Sequence, residues 1–164
     1  MCSDFTLTKS TRSIPSSDPS ATDGPAMTPH PKGEVFWAHA TSDERFLALC
    51  DLGQRLQSMR PDLSLLVTRD PELCSAPTPE GAQLTSAVVP SEHISEIRTF
   101  LDHWHPDLCL WSGGNLRPAL MRSCHDRGIN ALLIDIEENE LPARKRRWLP
   151  DQRRKTLDKF SAIL

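Results

Sequence analysis

A doubly wound, parallel α/β sheet with helices on both faces is the fold class this sequence predicts, and three observations predict it. Short apolar runs recur along the chain, as in Val35-Phe-Trp-Ala38, Leu63-Ser-Leu-Leu-Val-Thr68, Leu108-Cys-Leu-Trp111 and Ala131-Leu-Leu-Ile134. Within each run the apolar character is nearly continuous rather than alternating, the mark of a strand covered on both faces. Between the runs lie amphipathic stretches at helical spacing, and strand–helix alternation with right-handed crossovers produces a parallel sheet with both faces covered.

Residues 34 to 40 form the first strand. Thr41 or Ser42 then offers a hydroxyl to cap a helix, and Asp43 and Glu44 set negative charge at its positive end. Phe46, Leu49, Cys50, Gly53 and Leu56 repeat at helical spacing until Arg60-Pro61 ends the run. A second strand covers 63 to 68, and Pro71, Pro77, Pro79 and Gly81 mark the loop from 69 to 85. A third short strand spans 86 to 90. Ser91 is expected to cap a helix whose apolar face is Ile94, Ile97, Leu101 and Trp104. A fourth strand covers 107 to 111, and Ser112-Gly113-Gly114-Asn115 turns tightly into a helix placed by Leu116, Leu120 and Cys124, with Gly128 just beyond its end. A fifth strand covers 130 to 136. The chain is then expected to close with a helix begun by Pro150, carrying Leu157, Phe160 and Ile163 on one face.

The first 33 residues differ from the rest: six Ser, five Thr and five Pro leave too little apolar surface to fold. We expect a disordered tail over 1–33, for which a phosphorylated regulatory segment and a neutral leader both fit, and one domain over 34–164. A net charge of -3 argues against general nucleic-acid binding. Cys2, Cys50, Cys74, Cys109 and Cys124 show no metal-ligand spacing, and their odd count suggests reduced thiols in a cytoplasmic setting. No run is long enough to span a bilayer.

Several groups carry chemistry. Glu44 sits on a strand-to-helix turn, where a carboxylate acts as a general base or simply complements the helix dipole. His39 ends the first strand at the ligand edge of such a sheet. The Gly113-Gly114 pair lets backbone amides approach an anion, although a plain tight turn is the better explanation. His103 and His105 are two apart on a helix and do not face each other, so no metal site is expected. From Arg144 to Lys155 there are seven basic residues and one acid, Asp151, a local charge of +6. This run, which includes Arg146 and Arg147, suits an anionic surface or a solvated helix face.

Trp37-Ala38-His39-Ala40-Thr41-Ser42 resembles the Trp-x-His-Ala-x-Ser segment that opens the N-terminal domain of 3-deoxy-D-manno-octulosonate (Kdo) transferases. Val67-Thr68, Phe100-Leu101 with His105-Pro106-Asp107, Leu116-Arg117-Pro118, Arg147-Trp148 and Phe160-Ser-Ala-Ile-Leu164 follow in the family's order. The resemblance implies a Rossmann-like lobe of a GT-B glycosyltransferase in lipopolysaccharide biosynthesis. It further implies a lipid A-like acceptor, transfer without a cofactor or a metal in the chemical step, and a place in the cytoplasm or peripheral at the inner membrane. By this resemblance Glu44 is the catalytic base, and His39, Ser42, Gly113, Gly114, Asn115, Arg146 and Arg147 meet the acceptor.

The departures fall in the chemistry. The family's Ser-x-Gly-Glu is Ser42-Asp43-Glu44-Arg45 here, so Arg45 takes the base position unless one residue is deleted. The family's Glu-x-Glu is replaced by Gly113-Gly114-Asn115, and its Asn-Ala-Arg-Leu-Ser by Asp135-Ile-Glu-Glu-Asn139. The expectation is therefore an acceptor-side lobe without the CMP-Kdo-binding lobe, which another chain would supply. The alternatives are a catalytically inactive binding or regulatory domain, or a gene fragment.

Overall fold

The computed structural model describes residues 30–31, 33–70, 72, 74–140 and 152–164. In chain order the elements are β1 (Glu34–Ala40), α1 (Asp43–Met59), β2 (Leu63–Arg69), β3 (Thr85–Val88), α2 (Ile94–Trp104), β4 (Leu108–Ser112), α3 (Pro118–Asp126), β5 (Asn130–Ile134), a 3-10 turn (Glu138–Glu140), α4 (Gln152–Leu157) and β6 (Ala162–Ile163). The strands form one six-stranded sheet in the order β3-β2-β1-β4-β5-β6, and every pairing is parallel. The order reverses at β1 and β4, and the crevice beyond the carboxyl ends of those strands is where open sheets of this kind hold ligands.

Side chains of β1 alternate between two cores. Val35 and Trp37 pack with Leu66, Ile97, Phe100, Leu101, Trp111, Leu120 and Met121, the layer beneath α2 and α3. Phe36, Ala38 and Ala40 pack with Phe46, Leu49, Cys50, Leu65 and Val67 beneath α1. Burial on both faces is the reason the strand is apolar throughout; each large side chain so buried contributes roughly 1.5–3 kcal/mol. The described thiols of Cys50, Cys74, Cys109 and Cys124 are free and buried, as expected. His105 caps α2 in the left-handed region, so His103-Trp104-His105 is a helix end.

Three expectations are corrected. Ser91 does not cap α2: the N-cap is His93, whose own amide donates to Ser91 Oγ. Ile94 is exposed, and Phe100 takes the buried place instead. The chain also does not close on a helix carrying Phe160 and Ile163. After the short α4 it turns, and Ala162 and Ile163 pair in parallel with Leu132 and Leu133 as a sixth strand. Leu157, Phe160 and Ile163 are three apart and so suggest a helical period, yet two residues of edge strand carry no period of their own. Ser161 N and Leu164 N donate to Ala131 O and Leu133 O, bonds that fasten the terminus to the sheet.

Phe160 is buried within the core under α3. Phe160→Ala is therefore expected to lower unfolding free energy by about 3 kcal/mol, as for a core aromatic. A change below about 0.5 kcal/mol in urea unfolding, the value for an exposed position, would show that this terminus does not dock.

Candidate functional site at the carboxyl edge of the sheet

The register brings Thr68 of β2, His39 of β1 and Trp111 of β4 into one row across the sheet, one residue short of the strand ends. All three side chains are fully buried. Trp37 Nε1 donates to Thr68 Oγ1 at 2.8 Å, and Thr68 Oγ1 lies 3.0 Å from His39 Nδ1. With Thr68 donating to Nδ1 the imidazole proton sits on Nε2, and in the other tautomer Nδ1 donates to Thr68. The ring stacks on Trp111 with centroids 3.8 Å apart. Burial, and after it the nearby Arg117 charge, lower the His39 pKa to about 3, so the ring is neutral.

Beyond this row the β2 and β4 loops meet. Asp70, nearly fully buried, accepts from Asn115 Nδ2 and, at Oδ1, from Glu72 N at 3.2 Å. Its Oδ2 lies 3.9 Å from Arg117, whose Nη1 donates to Pro90 O at 3.1 Å. Arg117 is also the N-cap of α3 and places no side-chain oxygen on the helix amides.

On the α1 side of the edge, Arg45 organises three loops. Its Nε donates to Asp135 Oδ2 at 2.8 Å, its two terminal nitrogens to Glu140 at 2.5 and 3.0 Å, and Nη1 also to Thr41 Oγ1 at 3.0 Å. Thr41 in turn donates to Ser112 O. Arg45 holds the Glu140 carboxyl below its usual range, and Glu140 raises the Arg45 pKa in return. The two glycines make this packing possible. Gly113 has φ +95°, and a Cβ there would meet Thr41 Oγ1 at 1.9 Å and Arg45 Nη1 at 2.6 Å. A Cβ on Gly114 would meet the Glu140 Cβ at 2.3 Å. The Gly113 amide already donates to Ile134 O.

The expected site residues thus separate. Ser42 is the N-cap of α1, its side chain accepting from Arg45 N at 3.3 Å. Glu44 lies in the first turn of α1 and is exposed. Asp43 accepts from Ser75 N and Ala76 N at 2.6 and 2.7 Å, bonds that lower its pKa and tie the β2–β3 loop to α1. His39 and Asn115 belong to the group on the α2–α3 face; Gly113 and Gly114 seat the Arg45 cluster. Arg146 and Arg147 lie outside the described residues, and of the basic run Arg154 and Lys155 are described as exposed in α4. No three His, Cys, Asp or Glu among the described residues could share a metal ion. Sequence reasoning missed Asp70, Trp111 and Arg117 as site members. Asp70 had a signal, being the acid that directly follows a buried strand. Trp111 read only as core, and Arg117 only as part of a Leu-Arg-Pro segment.

Fold and edge together define a Rossmann-like α/β domain with polar groups gathered at its topological switch point. The profile of the 3-deoxy-D-manno-octulosonic-acid transferase (kdotransferase) N-terminal domain matches residues 17–164, and the chain belongs to this glycosyltransferase family. No curated protein matches it. Among solved structures, a protein described as a UDP-N-acetylglucosamine 2-epimerase of Listeria monocytogenes is similar at 11% identity and a TM-score of 0.45. The alignment covers 80% of this chain and 38% of that one. No helix among the described residues is long and apolar enough to cross a membrane.

Two outcomes follow from the electrostatics. Arg45→Gln is expected to cost about 2 kcal/mol at neutral pH, since charged hydrogen bonds are lost while exposed Asp135 contributes little. Because the folded Glu140 pKa is depressed, that difference should be present above the ordinary Glu value of about 4.3 and fade as pH falls through the folded value. Equal unfolding curves for parent and variant at pH 7 would show that the cluster adds no stability. His39, neutral in the fold, binds a proton in the unfolded chain below about pH 6.5. Stability should therefore fall by about 1.4 kcal/mol per pH unit from there toward pH 3, and His39→Gln should remove that slope. An unchanged acid limb in the variant would assign the slope to other groups.

Proposed function

We propose that this chain is the acceptor-side lobe of a Kdo-transferase-type glycosyltransferase of GT-B architecture, meeting a lipid A-like glycolipid, with the CMP-Kdo donor held by a second lobe. The observation that carries this reading is the family match, which runs through every loop of the carboxyl edge. In the transfer, an acceptor hydroxyl gives its proton to a carboxylate and attacks the anomeric carbon of Kdo. The new carbon–oxygen bond forms as the bond to the CMP phosphate breaks, and CMP leaves with that electron pair. Glu44, exposed beside the edge, is the base in this reading. His39, Ser42, Gly113, Gly114 and Asn115 line the acceptor side. The basic run holding Arg146 and Arg147 meets acceptor phosphates and the cytoplasmic surface of the inner membrane.

A second reading is a binding domain that performs no transfer. It is favoured by Arg45, which takes the family's base position and is held there by Asp135 and Glu140.

Cosedimentation with neutral-lipid vesicles, with and without a lipid A precursor, tests the acceptor reading. We expect binding to the doped vesicles alone, weakening toward physiological salt as screening sets in within about 8 Å, and loss when Arg146, Arg147, Arg153 and Arg154 are changed together to Ser. Equal sedimentation with both vesicle types would refute a lipid A-like partner. The purified chain alone is expected to form no product from CMP-Kdo and the precursor. Turnover abolished by Glu44→Gln would instead exclude the binding-domain reading and make Glu44 the base of a self-sufficient enzyme.

A further inference from the structure

The group on the α2–α3 face carries more than the family assignment asks of it. His39 Nε2, Trp111 Nε1 and Arg117 Nε are buried and have no hydrogen-bond partner among the described residues. Buried polar atoms are nearly always paired, so three in one neighbourhood require a reason. They do share a neighbourhood: His39 stacks on Trp111, and Arg117 lies 3.9 Å from Asp70, whose amide donates to the carbonyl of Ala40, the residue after His39. Their chemistry also agrees. Indole and guanidinium nitrogens only donate, and in the tautomer whose Nδ1 accepts from Thr68 the His39 Nε2 donates as well. In that tautomer the row presents donors without acceptors, next to a fixed positive charge.

One water does not answer this demand. It accepts two hydrogen bonds and brings two protons that need acceptors of their own. An oxyanion brings several lone pairs and no obligatory proton, and charge-assisted bonds from Arg are the strong kind. The neighbouring carboxylate does not fill the role, because Asp70 is held by Asn115 and Glu72 N and stands 3.9 Å from Arg117. Its charge opposes a second anion and keeps affinity modest. The first turn of α3 is already met by a carboxylate, Ala119 N donating to Glu92 Oε2 at 2.9 Å, so the helix end adds no open donor to the site.

We propose that His39, Trp111 and Arg117 form a binding site for a small oxyanion group, a carboxylate or a phosphate ester, at the switch point of the sheet. The site lies on the face opposite the Arg45 cluster and stands whether or not the chain takes part in glycosyl transfer. Its function is recognition: the rigid row, fixed by the bonds from Trp37 through Thr68 to His39, holds donors in place before a ligand arrives.

The test follows the indole Nε1–H resonance of Trp111 in the full-length 15N-labelled protein, assigned by its loss in Trp111→Phe. Sodium acetate and sodium phosphate are titrated separately against sodium chloride at matched ionic strength. A saturable downfield shift with acetate alone assigns a carboxylate, with phosphate alone a phosphate ester, and with both their shared chemistry. Arg117→Gln should weaken the response about tenfold or more, as expected for loss of a charge-assisted bond. Arg117→Lys, which keeps the charge and loses the Nε donor, should fall between, and it carries the comparison should the Gln variant fail to fold. The proposal is overturned if neither anion moves the resonance, if chloride moves it equally, or if both Arg117 variants bind as the parent does.

Discussion

The strands that flank β1, β2 and β4, are both registered on it, and β1 has no face left for water. That constraint reaches into the site. A strand enclosed on both sides can admit a polar side chain only where its hydrogen bonds are provided, and His39 is admitted because Thr68 stands beside it in register. Thr68 also receives the Trp37 indole, so one hydroxyl serves two aromatic rings from consecutive rungs of the same face. Removing water fixes the protonation of His39 as well, since an imidazolium in that place would be a buried charge beside Arg117.

The same edge is split by the sheet into two chemically different halves. On the α1 side, charge is matched: Arg45 faces two carboxylates, and two glycines give it room. On the α2–α3 side, His39 Nε2, Trp111 Nε1 and Arg117 Nε have no hydrogen-bond partner among the described residues. The halves are joined by the β4–α3 loop, where Gly113 and Gly114 serve the first while Asn115 and Arg117 serve the second. A side chain at Gly113 would therefore disturb both, through the ion-pair cluster directly and through the loop path to Asp70.

Membership of the Kdo transferase family places this lobe among glycosyltransferases, and the departures from the family pattern are concentrated where the structure is most tightly cross-linked. Read without a gap against the family's Ser-x-Gly-Glu, the chain carries the cation Arg45 at the acidic position. Where the family carries Glu-x-Glu, it has the glycines that accommodate that cation. Where the family carries Asn-Ala-Arg-Leu-Ser, it begins with the Asp135 that binds it. Residues from the three segments meet in the one Arg45 cluster.

The sequence by itself determined the sheet, because strands buried on both faces announce themselves as continuous apolar runs and the helices between them by their period. It placed β1, α1 and the glycine past α3 at or within a residue of their positions, since caps, breakers and apolar runs act locally. The carboxyl edge as the place to look, with His39 and Asn115 on it, followed from the strand ends. Tertiary structure alone decided what those residues meet. Arg45 and Glu140 are 95 positions apart, and Asp70 and Arg117 come together only because β2 and β4 flank β1. Likewise the last strand exists because β5 offers an unpaired edge to Ala162 and Ile163, a partner that no local pattern in those two residues records.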